Sequence, residues 1–243
     1  MNNGLHINDA LLKGKYLEAQ VLSFLHQEIF SNFDNLIALI KIQQPNLSRL
    51  LKRMTSKGLL EKHSLTLDTC KVSLWGITDK GIHAVGDHEH APLHCFHPSR
   101  ISLVTLNHTL MNQRVYIALK HLNWTEWINA DRKVFKQKFP VPHRPDAIVR
   151  TPKGTITAIE TELTLKTPLR YRAIMKSHIQ AKEKGFWKHV IYVVRDEEYK
   201  KMLKRRFDHI KYIQFDESRH PFEKYRKMVS IFTLDEVSKL TQS

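Results

Sequence analysis

The chain has 243 residues, a formal net charge of +15 at pH 7 and an apolar fraction of 42%. This length fits one large domain or two small ones, and the apolar content is ordinary for a globular protein. The positive charge indicates a polyanionic partner, and nucleic acid is favoured over a membrane because no basic amphipathic segment with an exposed apolar face stands out. No apolar run reaches the roughly 18 residues of a bilayer span. The N-terminus lacks a secretory pattern and the two cysteines offer no disulfide framework, so a cytoplasmic location is expected.

The N-terminal part of the chain has the pattern of three helices followed by a hairpin. Apolar residues recur at helical spacing between residues 11 and 29, and a short second helix fits residues 34–40. A third helix has Pro45 in its first turn and Gly58 at its end. Two strands follow at 59–62 and 71–78, joined by a turn around residues 68–69, and Thr78 is a candidate cap for another helix.

The third helix is both amphipathic and basic. Its apolar stripe consists of Leu47, Leu50, Leu51 and Met54, and its remaining surface carries Arg49, Lys52, Arg53 and Lys57. In layout, residues 46–81 resemble winged helix-turn-helix domains. The resemblance implies that this helix enters the major groove, where the four cations contact phosphates or base edges. A solvated helix face, or a module that binds protein, is the alternative.

A segment rich in histidine and proline, residues 87–98, predicts a boundary between two domains, placed at 1–92 and 93–243. Four histidines and Cys95 lie in this segment. A polar linker is favoured over a zinc site, because no second ligand pair with finger-like spacing exists elsewhere in the chain.

The second half predicts an α/β domain. A helix at 99–122 precedes strands at 126–135, 144–150 and 155–163, a helix at 168–184, a strand at 189–194, a helix at 197–207 and a strand at 210–215. The strand at 189–194 is apolar throughout, which is typical of a strand buried on both faces.

Carboxylates cluster at the ends of two of these strands. Asp146 opens one strand, and Glu160 and Glu162 lie two residues apart on the next, so they share a face of the sheet. Clustered carboxylates repel one another unless a cation lies between them, and hard oxygen ligands suit Mg²⁺ or Mn²⁺. Lys166 is expected to orient a water molecule or to neutralise a phosphate. A solvated strand face is the alternative to this predicted metal site.

Pro145-Asp146 followed by Glu160-x-Glu162 on a hairpin resembles the PD-(D/E)xK nuclease superfamily. The resemblance implies a restriction-endonuclease-like domain, with a central mixed sheet flanked by helices, in which Asp146 and Glu160 bind the metal. The motif lysine is replaced here by Glu162, and Lys166 is the candidate substitute.

The wider sequence from His143 to Ala147 and from Ile159 to Tyr171, together with the winged helix, resembles the replication-relaxation family, and within it the MobC-type plasmid mobilisation relaxases. This resemblance implies metal-dependent, strand-specific nicking of supercoiled DNA at a plasmid transfer origin. It also implies an accessory mobilisation protein and a coupling protein as partners in a relaxosome.

Several alternatives accompany this prediction. Tyr171 is a candidate nucleophile, although a packing role is favoured for it, and Arg170, Arg172 and Lys176 on the same helix are expected to bind the DNA backbone. A non-catalytic DNA-binding regulator or replication initiator is the second hypothesis, because the motif lysine is missing. A transposase or restriction-type endonuclease is the third.

Overall fold

A computed structural model describes residues 3–67, 70–87, 92, 94–216 and 218–240. The chain divides into two compact units, residues 1–113 and 114–243, and the division falls inside the helix Leu103–His121. The predicted boundary between residues 92 and 93 lies earlier in the chain. The first turns of this helix belong to the N-terminal unit, because Leu106 joins Leu74 and Phe96 in a buried cluster.

The described part of the N-terminal unit contains the three predicted helices and the hairpin. The elements are α1 (Asn3–Glu28), β1 (Phe30–Asn32), α2 (Phe33–Ile40), α3 (Gln44–Ser56), β2 (Leu60–Leu67), β3 (Cys70–Ile77), α4 (Asp79–Val85), a 3-10 turn (Pro98–Arg100) and the start of α5 (Leu103–His121). The strands form an antiparallel sheet in the order β1-β3-β2. Strand β1 was not predicted, since three residues are too few to show a periodicity. The predicted turn at 68–69 lies outside the described residues.

The helices of this unit follow the local signals in the sequence. The apolar stripe of α3 is buried as predicted, and the helix is followed by Gly58 with a φ of +71°. Thr78 caps α4 by accepting a hydrogen bond from the Gly81 backbone N–H. The stripe of α1 is buried only from Val21 onwards, whereas Leu12 and Tyr16 are exposed.

The C-terminal unit is an α/β structure. Its described elements are β4 (Thr125–Asn129), α6 (Lys133–Lys138), β5 (Ala147–Arg150), β6 (Ile156–Glu162), α7 (Pro168–Glu183), β7 (His189–Val194), α8 (Glu197–Asp208), β8 (Tyr212–Phe215), β9 (Ser218–Pro221), α9 (Glu223–Arg226), β10 (Val229–Thr233) and α10 (Leu234–Val237). Within the described residues, five strands form a mixed sheet in the order β10-β7-β6-β5-β4. Strands β4, β5 and β6 pair antiparallel, whereas β6, β7 and β10 pair parallel. The mixed sheet flanked by helices confirms the predicted α/β class.

One strand prediction in this unit was wrong. The strand predicted at 126–135 ends at Asn129, and its second half forms α6 instead, with Phe135 fully buried. The strand predicted at 210–215 is present as β8, and among the described residues it pairs only with β9 in a separate hairpin, whereas the neighbour of β7 in the main sheet is β10. Parallel pairing joins segments that are distant in sequence, so local periodicity cannot identify the partner strand.

The main core of the C-terminal unit lies on the sheet face that carries Ala158 and Tyr192. Tyr171 on α7 and Phe207 on α8 pack onto this face and are fully buried. The Phe207 ring meets both tyrosines edge-on, at centroid distances of 5.2 Å to Tyr171 and 5.1 Å to Tyr192. Thr167 caps the start of α7, because its hydroxyl accepts a hydrogen bond from the Arg170 backbone N–H. These contacts hold α7 over the end of β6 that carries the glutamates.

Candidate active site

The strand register brings the three predicted carboxylates to one face of the sheet. Ala147 pairs with Ile159, and continuing this antiparallel register places Asp146 opposite Glu160. Side chains that face each other in this way have Cβ atoms about 5 Å apart. Glu160 and Glu162 alternate with Thr161 and share the face that α7 covers.

Glu160 is buried, with 5% of its surface exposed, and it accepts two hydrogen bonds on one oxygen. His143 Nε2 lies 2.8 Å and His178 Nε2 lies 2.9 Å from Glu160 Oε1. Burial alone would raise the pKa of Glu160, but the hydrogen bonds from His143 and His178 outweigh it and lower the pKa to about 2. Glu160 is therefore a carboxylate kept ionised in the interior.

Both histidines are held in place by their own neighbours. The backbone N–H of His143 donates to Ser177 Oγ at 3.0 Å, and the Ser177 hydroxyl donates to the His143 carbonyl oxygen at 3.2 Å. His178 is fully buried on α7, and its ring meets the Trp187 ring edge-on at a centroid distance of 5.9 Å. The two imidazoles themselves stand nearly perpendicular, with centroids 5.7 Å apart.

Asp146 reaches across the sheet to the strand beside it. Its Oδ2 accepts a hydrogen bond of 2.6 Å from the Thr161 backbone N–H, while its own backbone N–H donates to the Ile159 carbonyl oxygen. The residue is half-buried. Asp146 is thus the more accessible of the two carboxylates that sequence analysis assigned as principal metal ligands.

Glu162 belongs to a second network that includes the predicted lysine. Lys166 Nζ lies 2.6 Å from each carboxylate oxygen of Glu162, and the Tyr171 hydroxyl donates to Glu162 Oε2 at 3.1 Å. Burial raises the pKa of Glu162 more than the Lys166 ammonium lowers it. Lys166 keeps 35% of its side chain exposed, so it can both pair with Glu162 and meet solvent.

Tyr171 has no exposed surface, and its hydroxyl also accepts a hydrogen bond from the Lys166 backbone N–H at 3.1 Å. Burial first, and then the charge of Glu162, raise the pKa of Tyr171 well above its usual value. A buried phenol that holds its proton so firmly is a poor nucleophile. The geometry therefore favours the packing role over the nucleophilic one.

Tyr192 lies on β7 beside Glu160, and its hydroxyl is buried without a hydrogen-bond partner among the described residues. Burial raises the pKa of Tyr192 most, and the charges of Glu160, Glu162 and Asp146 raise it further. All three carboxylates are therefore close enough to act on this one hydroxyl.

The tightest group of metal-ligand side chains differs from the predicted one. Among the described residues, only His143, Glu160 and His178 bring ligand atoms within 4.8 Å of one another, and neither Asp146 nor Glu162 is a member of this group. Neither His143 nor His178 was predicted as a site residue. His178 follows Tyr171, Ile174 and Met175 at helical spacing, and this pattern already indicated that it faces the sheet.

The described part of the histidine-rich segment between the predicted domains shows no such group. Residues 88–91 and 93 lie outside the described part of the chain, whereas His94, Cys95 and His97 are inside it and join no metal-ligand group there. Burial, followed by a hydrogen bond to Asp79, raises the pKa of the Cys95 thiol.

The four predicted DNA contacts on α3 divide into two pairs. Arg53 Nε lies 2.7 Å from Glu18 Oε1, and Lys57 Nζ lies 2.9 Å from Glu18 Oε2, so α1 neutralises both cations in part. Arg49 donates to Asn46 Oδ1 within its own helix, and Lys52 is exposed. Arg49 and Lys52 are therefore better placed to meet a polyanion than the other two.

The predicted backbone-binding cations on α7 also differ in their surroundings. Arg170 is exposed at the start of the helix. Arg172 lies over the Tyr212 ring at 5.8 Å from its centroid, and Lys176 pairs with Asp216 at 3.4 Å. An open apolar cavity of 370 Å³ lies next to the N-terminal end of α7 and is lined by Leu165, Pro168, Met202, Arg205, Arg206 and His209.

Comparison of the chain with protein-family models, with curated proteins and with solved structures found no match. In the described residues, no helix combines the length and the apolar character needed to cross a membrane. The residues of the site themselves therefore carry the functional argument.

Proposed function

We propose that the protein is a metal-dependent DNA nickase that acts as a plasmid mobilisation relaxase of the replication-relaxation type. The observation that supports this most is the convergence of Asp146, Glu160 and Glu162 on one face of a sheet, in a chain with a net charge of +15. Buried carboxylates repel one another and also repel a polyanion, so their grouping in a basic protein favours a bound cation that assists phosphodiester hydrolysis.

The order of elements in the C-terminal unit fits a PD-(D/E)xK nuclease domain. Helix α5 precedes the antiparallel strands β4, β5 and β6, and α7 leads to β7, which pairs parallel to β6. In that arrangement Asp146 directly precedes the second strand, and Glu160 lies two residues before the end of the third. The likeness extends from the sequence motif to the position of that motif on the strands.

The N-terminal unit fits a winged helix-turn-helix domain. Helices α2 and α3 precede the β2–β3 hairpin, and the exposed face of α3 carries Arg49 and Lys52. We assign α3 to the major groove and the hairpin to the adjacent backbone. The exposed Arg170, near the carboxylates in sequence, is assigned to a phosphate of the strand that is cut.

The donor set fits a divalent cation. Asp146 and Glu160 would hold it, with Glu162 nearby, and bound Mg²⁺ or Mn²⁺ would activate water and neutralise charge on the phosphate. Glu160 is ready to bind a cation because its two histidines keep it ionised. Both hydrogen bonds end on Oε1, so Oε2 is the oxygen of Glu160 that would hold the cation.

The remaining residues of the site position groups or exclude water. Glu162 holds the Lys166 ammonium in an ion pair, and the buried Tyr171 donates its hydroxyl to Glu162 from the interior side. We assign Lys166 to the phosphate oxygen or to the attacking water, in place of the missing motif lysine. Because Tyr171 is buried and protonated, we infer hydrolysis by water without a covalent tyrosine intermediate.

The cellular task that follows from the resemblance is the initiation of plasmid transfer. The substrate would be supercoiled double-stranded DNA at a transfer origin, and the partners an accessory mobilisation protein and a coupling protein.

The test is incubation of the full-length protein with supercoiled cognate plasmid in the presence of Mg²⁺ or Mn²⁺. We expect an open-circular product, and we expect Asp146→Asn and Glu160→Gln to nick at least roughly 100-fold more slowly, because each removes several kcal/mol of transition-state stabilisation. Asp131→Asn, an exposed carboxylate of the same unit, is the matched control. Undiminished nicking by both site variants would refute the proposal.

A second candidate, a non-catalytic DNA-binding regulator or replication initiator, is favoured by one specific observation. The position of the motif lysine carries Glu162, and Lys166 is already bound to that carboxylate. In this case the same experiment gives specific DNA binding in a gel-shift assay but no open-circular product with any divalent cation.

A further inference from the structure

The strongest unassigned feature of the molecule is the group formed by His143, Glu160 and His178. These residues come from three separate elements: the segment before β5, strand β6 and helix α7. Their ligand atoms lie within 4.8 Å of one another, and both imidazole Nε2 atoms lie beside the same carboxylate oxygen.

The distances suit a shared metal ion. Zinc and related ions bind imidazole nitrogen and carboxylate oxygen at about 2.1 Å, so neighbouring ligand atoms of a tetrahedral ion are about 3.4 Å apart. The two contacts to Glu160 Oε1 are 2.8 and 2.9 Å. An outward movement of a few tenths of an ångström would open the space for an ion.

The group is also built rigidly enough to favour one geometry. Ser177 holds the backbone of His143 with two hydrogen bonds. His178 on α7 packs against the Trp187 ring and has no exposed surface. Glu160 has only 5% of its surface exposed, whereas His143 keeps 18% of its side chain exposed. His143 therefore gives the group its access to solvent.

We propose that His143, Glu160 and His178 bind a first-row transition-metal ion of the zinc type. Two imidazole nitrogens and one carboxylate favour zinc-type ions over Mg²⁺, which prefers oxygen ligands and retains its waters. The bound ion has a coordination position left for water or another ligand. This site shares Glu160 with the proposed nickase site but does not use Asp146 or Glu162, and it binds metal whether or not the chain nicks DNA.

The experiment is a calorimetric titration of the chelator-treated full-length protein with Zn²⁺ alone, in the absence of DNA. We expect one equivalent to bind, and His143→Gln, the variant at the solvent edge, to bind at least roughly 10-fold more weakly. His189→Gln, an exposed histidine of the same unit, is the matched control and binds as the unmodified chain does.

Two further measurements complete the test. His178→Gln changes a fully buried residue, so its circular dichroism spectrum is compared with that of the parent before its Zn²⁺ affinity is measured. Substitution with Co²⁺ reports the coordination directly, and the absorption bands of the bound ion should change in His143→Gln.

The proposal is overturned if the protein binds no stoichiometric Zn²⁺, if His143→Gln binds it as tightly as the parent, or if Mg²⁺ displaces Zn²⁺ at equal concentration. Asp146→Asn separates this proposal from the nickase: it should lose nicking and retain Zn²⁺. A chain that binds Zn²⁺ through these residues but nicks no DNA would refute the nickase alone.

Discussion

Two buried tyrosines on the core face of the sheet differ in the partners of their hydroxyl groups. Tyr171 donates to Glu162 and accepts from the Lys166 backbone, whereas the Tyr192 hydroxyl is buried without a hydrogen-bond partner among the described residues. We predict that Tyr171→Phe and Tyr192→Phe change the stability of the C-terminal unit in opposite directions. Both substitutions remove one oxygen and leave the ring packed on Phe207.

The magnitudes follow from the cost of an unsatisfied buried polar group, which is roughly 1 to 3 kcal/mol. Tyr192→Phe removes such a group, so the free energy of unfolding should rise by about 1 kcal/mol. Tyr171→Phe leaves Glu162 and the Lys166 N–H each without one partner, so the same quantity should fall by about 1 to 3 kcal/mol. In a chain of this length, 1 kcal/mol corresponds to a change in Tm of roughly 2 to 4 °C.

Urea unfolding at neutral pH, followed by circular dichroism and tryptophan fluorescence, measures both effects. A chelator is present throughout, so that a bound metal ion contributes nothing to the free energy. A loss of about 1 kcal/mol or more in Tyr192→Phe would refute the reasoning, since the hydroxyl would then have a partner such as a buried water.

Three further predictions concern other parts of the molecule. The pKa of Glu160 is lowered from 4.5 to about 2, so its ionised form contributes roughly 3 kcal/mol to the free energy of unfolding. This contribution is present above pH 4.5 and is lost as the pH falls towards 2. Unfolding of the parent and of Glu160→Gln across this pH range measures it. Glu18→Gln releases two cations of α3, so DNA affinity should depend more steeply on salt while the free energy of unfolding changes by less than about 1 kcal/mol. A Cβ on Gly76 would lie 1.9 Å from Phe96 Cγ. Gly76→Ala should therefore lower the free energy of unfolding of the N-terminal unit by roughly 1 to 3 kcal/mol, which thermal unfolding measures.

Each of these has an outcome that contradicts it. Equal acid sensitivity of the parent and Glu160→Gln would show that other groups determine acid unfolding. An unchanged salt slope in Glu18→Gln would mean that Arg53 and Lys57 do not meet phosphate. Gly14→Ala, whose Cβ would meet only an ordinary contact of 3.5 Å, is the control for Gly76→Ala; equal effects of the two would remove the steric argument.

Much of the fold was accessible from local sequence patterns. The amphipathic spacing in α3, the cap at Thr78 and the apolar strand at 189–194 identify elements that the structure contains. Strand β10 was missed, and the sequence did not show that β8 pairs with β9 outside the main sheet. Sheet order depends on pairing between distant segments, and no local pattern encodes that pairing.

The candidate site shows the same division. Alternation along β6 was enough to place Glu160 and Glu162 on one face, and the motif spacing was enough to place Asp146 on the strand beside them. Neither pattern revealed that His143 and His178 hold Glu160, or that Glu18 holds Arg53 and Lys57. These contacts join residues 17, 18, 35 and 39 positions apart.

The sequence by itself predicted a polyanionic partner, and it determined the α/β class of the second half and the face that Glu160 and Glu162 share. These follow from charge, from periodicity and from the alternation of side chains along one strand. Only the tertiary structure decided which groups neutralise those carboxylates and which cations remain exposed. Hydrogen bonds and ion pairs depend on distances of about 3 Å between side chains, and folding alone sets those distances.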